Sequence, residues 1–450
     1  SARFGVREEM KQGYGFGWRD HVRGVTTTFD AVENLAFGDK IRAELARIDT
    51  KIGPRLNPGF ALDPLKVKAD IRSPDVVVVA ADERGQIVRY YEAGEQASYF
   101  GSPFARDATS GMYDAGREAR MVASTGKILA AIAIANEGKD IASSLYLDTE
   151  APARGLETCD KSGKERHGRK AIVAFACSLN NPLLNRTALA GQDRIARLID
   201  GFGFTMPPVG PTGEGTPPST AVVLGQIAGS PRRIHHMAGV VLGALIGQGG
   251  KPLAPPTLVK AYDFTHRAEF ARTGSKAAGE IVPNSLIRRG AHGLVKTLLE
   301  APLCYTSNGT QHGTLKSVAG WCAARRPDLR LHFAKTGTQV TLDPNATVDT
   351  LITGGLQFQN GAAYSYVVLV GTGSPGAPWA RSVHAAQAAS PLLEVLLADL
   401  AVHSKANARP QLLPPKPALA PVASARDDLP ALARRGGLTE ADRQRIFTAN

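Results

Sequence analysis

Two β-rich stretches sit near opposite ends of this 450-residue chain with helical patterning between them, and that separation constrains the fold more than any other feature. Residues 76–94, "VVVVAADERGQIVRYYEAG", read as two strands about a Gly-containing turn. Late in the chain "LRLHFAKTGTQV" reads as a strand, and Asn360-Gly361 separates two further β-rich runs, the pattern of a type I′ hairpin. Between them, residues 117–136, 168–203 and 219–250 carry helical apolar periodicity. One sheet assembled from both ends of a single domain, with helices packed on it, satisfies this order. The expected class is α+β, with a mixed, mainly antiparallel sheet flanked by helices.

Composition removes several functions. With 43% hydrophobic and 21% charged residues the chain can bury a full core. The formal net charge is +12, yet Lys and Arg are spread along the sequence with no basic run interleaved with aromatics, which argues against nucleic-acid binding. The longest apolar runs, "ILAAIAIA" and "VVVVAA", fall well short of the roughly 20 residues a bilayer span needs. No cofactor or metal is expected. Gly126-Lys127 is followed by Ile128 and so forms no phosphate loop, Gly13-x-Gly15-x-Gly17 lacks a preceding strand, and the adjacent His235 and His236 face different sides of a helix. The cysteines, Cys159, Cys177, Cys304 and Cys322, contain no C-x-x-C pair. Each neighbouring pair is 18 residues apart, which suits two local disulfides in an oxidising compartment, while four buried thiols is the alternative.

Chemistry enters at "REARMVASTGKILAAIAIAN", residues 117–136, where Ser124 and Lys127 stand at the mouth of an otherwise apolar helix. A lysine buried there is costly unless something uses or pairs it. An unassisted serine hydroxyl is a poor nucleophile and needs an adjacent base, and desolvation beside other positive charge favours a neutral lysine amine. Taken alone, the pair reads equally as a helix cap and a solvated lysine. Two further stretches change its weight: Ser178-Leu179-Asn180 in a break between helical runs, and Lys335-Thr336-Gly337-Thr338 in the late strand. The order S-x-x-K, S-x-N, K-T-G-T is the set found in serine β-lactamases and penicillin-binding proteins.

On these motifs the chain resembles the transpeptidase domain of penicillin-binding proteins, expected over residues 24–403, after a linker at 1–23 and before a Pro/Ala-rich tail at 404–450. The resemblance implies a serine acyl-enzyme. Ser124 is then the nucleophile and Lys127 its base; Ser178 relays a proton to the leaving amine; Asn180 holds Lys127 and bonds the substrate amide; Lys335 supplies positive potential. It further implies that Thr336 and Thr338, with Lys335, hold a terminal carboxylate, that Gly337 leaves the approach open, and that the backbone N–H groups of Ser124 and Thr338 form an oxyanion hole.

The implied reaction is D,D-transpeptidation, in which a D-Ala-D-Ala stem peptide acylates Ser124 and a neighbouring stem's amine takes the acyl group; β-lactams would acylate the same serine. Class A β-lactamases place a deacylating Glu on an E-x-x-L-N loop, whereas residues 181–230 here hold only Asp193, Asp200 and Glu214 as acids. Rival readings are a hydrolase of the same fold, as D,D-carboxypeptidase or β-lactamase, and a non-catalytic penicillin-binding sensor. "ARFGVREEMKQ" is similar to the junction of bifunctional class A members, which implies a glycosyltransferase domain upstream of Ser1; the implied reaction, whose stem peptides occur only outside the cytoplasmic membrane, implies a membrane anchor outside this sequence and a periplasmic or extracytoplasmic location. That oxidising location selects Cys159–Cys177 and Cys304–Cys322 as disulfides, the first bracing Ser178. Two residues depart from the pattern: Ala334 stands where Gly is usual, and Ile128 where Pro is common.

Overall fold

The run of valines at 76–79 forms a strand because both of its faces can be buried. A computed structural model describes residues 5–10, 18–94, 99–100, 120–137, 159, 170–207, 215–248, 253–264, 283–373 and 377–406. Asp75–Asp82 (β1) and Ile87–Ala93 (β2) make the first hairpin, and Asp82 Oδ1 fixes its turn by accepting the N–H groups of Arg84 (2.9 Å) and Gln86 (2.8 Å). Leu329–Val340 (β3), Ala346–Phe358 (β4) and Ala363–Gly371 (β5) form a second group. The groups join where β5 runs antiparallel to β1, with Val367 opposite Val79. The strand order is β3–β4–β5–β1–β2, every pairing antiparallel, so both chain ends build one sheet.

Alternation along β1 divides the interior into two cores. Val76, Val78 and Ala80 face the helices Ala31–Ile52 and Ala385–Ala406, whereas Val77, Val79 and Ala81 face a layer that includes Lys127–Asn136, Ala171–Ala176, Pro231–Leu245 and His292–Cys304. Ala31–Ile52 starts at Asp30, whose Oδ1 accepts the N–H groups of Val32 (2.8 Å) and Glu33 (2.9 Å). The closing helix Ala385–Ala406 is long and apolar enough to cross a membrane, but its Leu392, Leu396, Leu397 and Leu400 pack in the core, which accounts for that composition.

Two expectations need correction. The loop at Asn360-Gly361 is not a type I′ turn, because only Gly361 has positive φ (90°). Gly361 N–H donates to Phe358 O (3.0 Å) and Phe358 N–H to Ala362 O (2.8 Å), so the turn centres on Gln359-Asn360 and Gly361 forms a left-handed bulge after it. Asn360 is engaged elsewhere, its Nδ2 donating to Ser404 O (3.0 Å) at the end of the closing helix. The stretch read as a linker is in part docked structure: residues 5–10 are helical, Met10 is buried, and Glu9 accepts Leu258 N–H (2.7 Å). Residues 11–17 of that stretch, and the tail beyond Ala406, lie outside the described residues.

Disulfides join Cys159 to Cys177 and Cys304 to Cys322. Glu92 on β2 is buried and accepts the Tyr90 hydroxyl and Tyr99 N–H (2.8 Å). Burial, the dominant cause, pushes its carboxyl up from the usual value to about 7. The folded chain thus holds a proton that the unfolded chain releases above pH ~4.5. This contribution is complete below the unfolded value and is lost as pH rises through about 7. Glu92→Gln should therefore gain on the wild type by ~3 kcal/mol between pH 4.5 and 7.5 in chemical denaturation, and a pH-independent difference would remove the buried acid.

Candidate active site

The helix Lys127–Asn136 is buried on every side, so a lysine at its first position cannot reach water. Lys127 is 0% exposed, and its position is fixed by polar atoms alone. Nζ lies 3.1 Å from Ser124 Oγ, 2.8 Å from Ser178 O, 3.2 Å from Ser178 Oγ and 2.7 Å from Asn180 Oδ1. Ser124 sits one turn earlier, in the 3-10 segment Ala123–Gly126 that leads into the helix. The first two motifs thereby meet at one nitrogen.

Ser178 reaches that nitrogen through an unusual helix ending. Its φ is +57°, a left-handed conformation that an L-residue adopts at a cost of ~1 kcal/mol. Ser178 N–H donates to Phe175 O (3.2 Å) and Leu179 N–H to Ala174 O (2.9 Å), so Ser178 occupies the position after the helix Ala171–Ala176 where glycine normally stands. Leu179 is buried as the apolar partner of this cap, and Asn180 is thereby turned back towards Lys127. The preceding residue, Cys177, carries the disulfide to Cys159. The hydroxyl is thus retained at a position that glycine would fill with less strain.

The third motif lies on β3, at the end of the strand order. Lys335 is 0% exposed, and its Nζ donates to Ser178 Oγ (2.7 Å) and Thr336 O (2.9 Å). One hydroxyl oxygen therefore receives both lysines. Ala334 points the other way, into the core beneath the closing helix, so the departure from glycine adds no atom to the site. Ile128 is likewise core.

Two of the expected residues make further contacts in the structure. A Cβ on Gly337 would lie 3.1 Å from Ala123 Cβ and 3.2 Å from Val122 O, so the missing side chain makes room for the nucleophile's own turn. The Thr338 hydroxyl accepts Ala385 N–H (3.3 Å) at the start of the closing helix and keeps its own O–H to donate, while the Thr336 hydroxyl lies 3.5 Å from Lys335 Nζ.

The remaining candidates are structural. His235 bonds the Tyr99 hydroxyl (2.8 Å) and Ser365 Oγ (3.1 Å), and His236 bonds Leu253 O (2.8 Å); burial holds the two rings down to about 3 and about 4. His332 is buried between Trp321 O (2.7 Å) and the Tyr366 hydroxyl (2.8 Å), and its ring is lowered to about 4, chiefly by burial. Among the described residues no group of three His, Cys, Asp or Glu could hold a metal ion. Sequence reasoning missed Arg120, which is buried four residues before Ser124 and pairs with Asp75 and Asp349. No local pattern marks these three residues, since they are far apart in the chain.

Comparison with known proteins gives the fold a name. No protein-family model and no curated protein matches the chain. Among solved structures it is similar to the PonA1 protein of Mycobacterium tuberculosis in complex with penicillin V, at 16% identity over 89% of this chain and 92% of that one, TM-score 0.50. It is also similar to apo penicillin-binding protein 3 of the same organism, at 15% identity over 86% of this chain and 82% of that one, TM-score 0.51. The chain has the mixed α+β fold of penicillin-binding protein transpeptidase domains.

The left-handed Ser178 gives a direct check on this geometry. Ser178→Ala and Ser178→Gly both delete the hydroxyl, but only glycine relieves the backbone. The glycine variant should be the more stable of the two by ~1 kcal/mol in urea denaturation, and equal or inverted stabilities would contradict the conformation.

Proposed function

We propose that this chain is a serine D,D-transpeptidase that cross-links peptidoglycan stem peptides through an ester on Ser124. The observation that carries the reading is the shared hydroxyl: Ser178 Oγ lies 3.2 Å from Lys127 Nζ and 2.7 Å from Lys335 Nζ, while Lys127 Nζ lies 3.1 Å from Ser124 Oγ. This is a continuous proton path from the nucleophile to the strand along which a peptide would lie.

In the proposed first step Ser124 Oγ attacks the carbonyl carbon of the penultimate D-Ala, and its proton passes to Lys127 Nζ. The step requires a neutral amine at Lys127, which is fully buried and shares the Ser178 hydroxyl with Lys335. Backbone N–H groups of Ser124 and Thr338 are the proposed donors to the developing oxyanion. The C–N bond then breaks, the proton returns through Ser178 to the nitrogen of the departing D-Ala, and an ester remains on Ser124. The amine of a second stem peptide attacks that ester, the C–O bond to Ser124 breaks as the amine's proton returns through Ser178 and Lys127 to Ser124 Oγ, and the new amide leaves. Thr336 and Thr338, with Lys335, are the proposed holders of the donor's terminal carboxylate. A strand at the sheet's end suits a substrate that binds extended.

β-Lactams fit the reading as acylating agents that mimic the donor. Stem peptides are met outside the cytoplasmic membrane, so the proposal includes a periplasmic or extracytoplasmic location, with tethering and a glycosyltransferase domain supplied by sequence upstream of Ser1. Two disulfides suit an oxidising compartment.

Incubation with a fluorescent penicillin and a D-Ala-terminated thioester, with and without added D-amino acid, tests the reaction type. The reading predicts a slowly released adduct and acyl transfer that rises with acceptor concentration. Rapid release of hydrolysed penicillin would identify a β-lactamase, and thioester hydrolysis insensitive to acceptor a carboxypeptidase.

A further inference from the structure

The segment that delivers Ser124 enters the described fold at Arg120, and that arginine is where we infer a positioning function: Arg120 sets the distance between the nucleophile's turn and the K-T-G-T strand. The inference rests on the acyl-transfer reading above and assigns a role to a residue outside its three motifs.

Arg120 is 5% exposed and lies between two buried carboxylates, Asp75 at 4% and Asp349 at 2%. Its Nη1 donates to Asp349 Oδ1 (2.6 Å) and its Nη2 to Asp75 Oδ2. Asp75 is the first residue of β1. Asp349 lies on β4 directly opposite Gln339 of β3, and the next rung of that ladder pairs Thr350 with Thr338. A short covalent and hydrogen-bonded chain therefore runs from Ser124 back to Arg120, across to Asp349, and along one rung to Thr338. Its two ends are the residues whose N–H groups are the proposed oxyanion donors.

On its other side the turn is held by backbone alone. Val122 N–H donates to Ile227 O (2.9 Å) and Ala123 N–H to Gly225 O (3.0 Å). Gly225 has φ +69°, and a Cβ there would sit 1.8 Å from Ala123 O, so the contact admits no side chain. Ala123 is itself left-handed at φ +47°. The turn is thus wedged from behind, and Arg120 ties it to the sheet.

Stability gives no reason for an ion cluster here. A guanidinium and two carboxylates are desolvated together, Asp349 Oδ2 has no hydrogen-bond partner among the described residues, and well-packed apolar residues serve a core as well or better. A planar two-pronged cation offers something else, a fixed angle between two strands and the residue that bears it. Misplacing an oxyanion donor by even an ångström costs ~100-fold in rate.

The test compares acylation by fluorescent penicillin in the wild type, Arg120→Lys, Asp349→Asn and a control, Arg89→Lys. Arg89 is an equally buried arginine, paired with Asp399 (2.5 Å) and Glu33 (2.8 Å) between β2 and the helices on the sheet's other face. Circular dichroism and thermal melting fix the folded fraction of each. Arg120→Lys and Asp349→Asn should lower the limiting acylation rate constant ~10- to 100-fold. The penicillin concentration at half-maximal rate should stay within about threefold, since the donors act on the transition state. Arg89→Lys should lose thermal stability yet acylate within about twofold of the wild type, as expected of a residue that acts on stability alone. Wild-type acylation in both Arg120→Lys and Asp349→Asn, or equal slowing in Arg89→Lys, would overturn the positioning role alone. A wild-type chain that forms no adduct would overturn the acyl-transfer reading itself.

Discussion

Everything at the site converges on the amine of Lys127. Three segments that are remote from one another in the chain are brought within hydrogen-bond distance of that nitrogen, or of the one hydroxyl beside it: the turn at Ser124, the helix end at Ser178 and the strand at Lys335. A buried lysine is tolerated only where polar groups replace the water it has lost. Here the replacements are a serine hydroxyl, a backbone carbonyl, a second hydroxyl and an amide oxygen. Such an arrangement orders its surroundings more than it stabilises them.

The two cores exist to make that order affordable. β1 buries valines on both faces, so the sheet is rigid where β4 and β5 carry β3 to its end. Between Lys127 and Asn136 the helix is apolar and buried, and Lys127 at its start is itself 0% exposed. Two of the four described non-glycine residues with left-handed backbones, Ala123 and Ser178, lie at the site, one next to Ser124 and the other beside Lys127; Asn308 and Ser382 are the others. Disulfide, cap and wedge surround Ala123 and Ser178.

Much of this was legible in the sequence, for physical reasons that can be named. The valine run and the late strands betrayed themselves through β-branched content and period, and their position at both ends of the chain implied one sheet. The three motifs were readable because each is a set of fixed residue types at a short, fixed spacing. What was not readable depends on tertiary register. Arg120, Asp75 and Asp349 are separated by tens to hundreds of residues and meet only once β1 and β4 share a sheet. Gly337 looked like an open door for substrate, and only the approach of Ala123 shows what its missing side chain accommodates. The docking of Glu9 ahead of Leu258 was hidden for the same reason, since a charged, Gly-punctuated stretch carries no local sign of its distant partner.

The account stands on Ser124 being the atom that Lys127 activates. Intact-mass measurement of the chain after exposure to benzylpenicillin, followed by proteolysis and fragmentation of the modified peptide, addresses this directly. One penicilloyl group per chain, located on Ser124 and absent from Lys127→Ala, is the predicted result. An unmodified chain, or a penicilloyl group on any other residue, would contradict it.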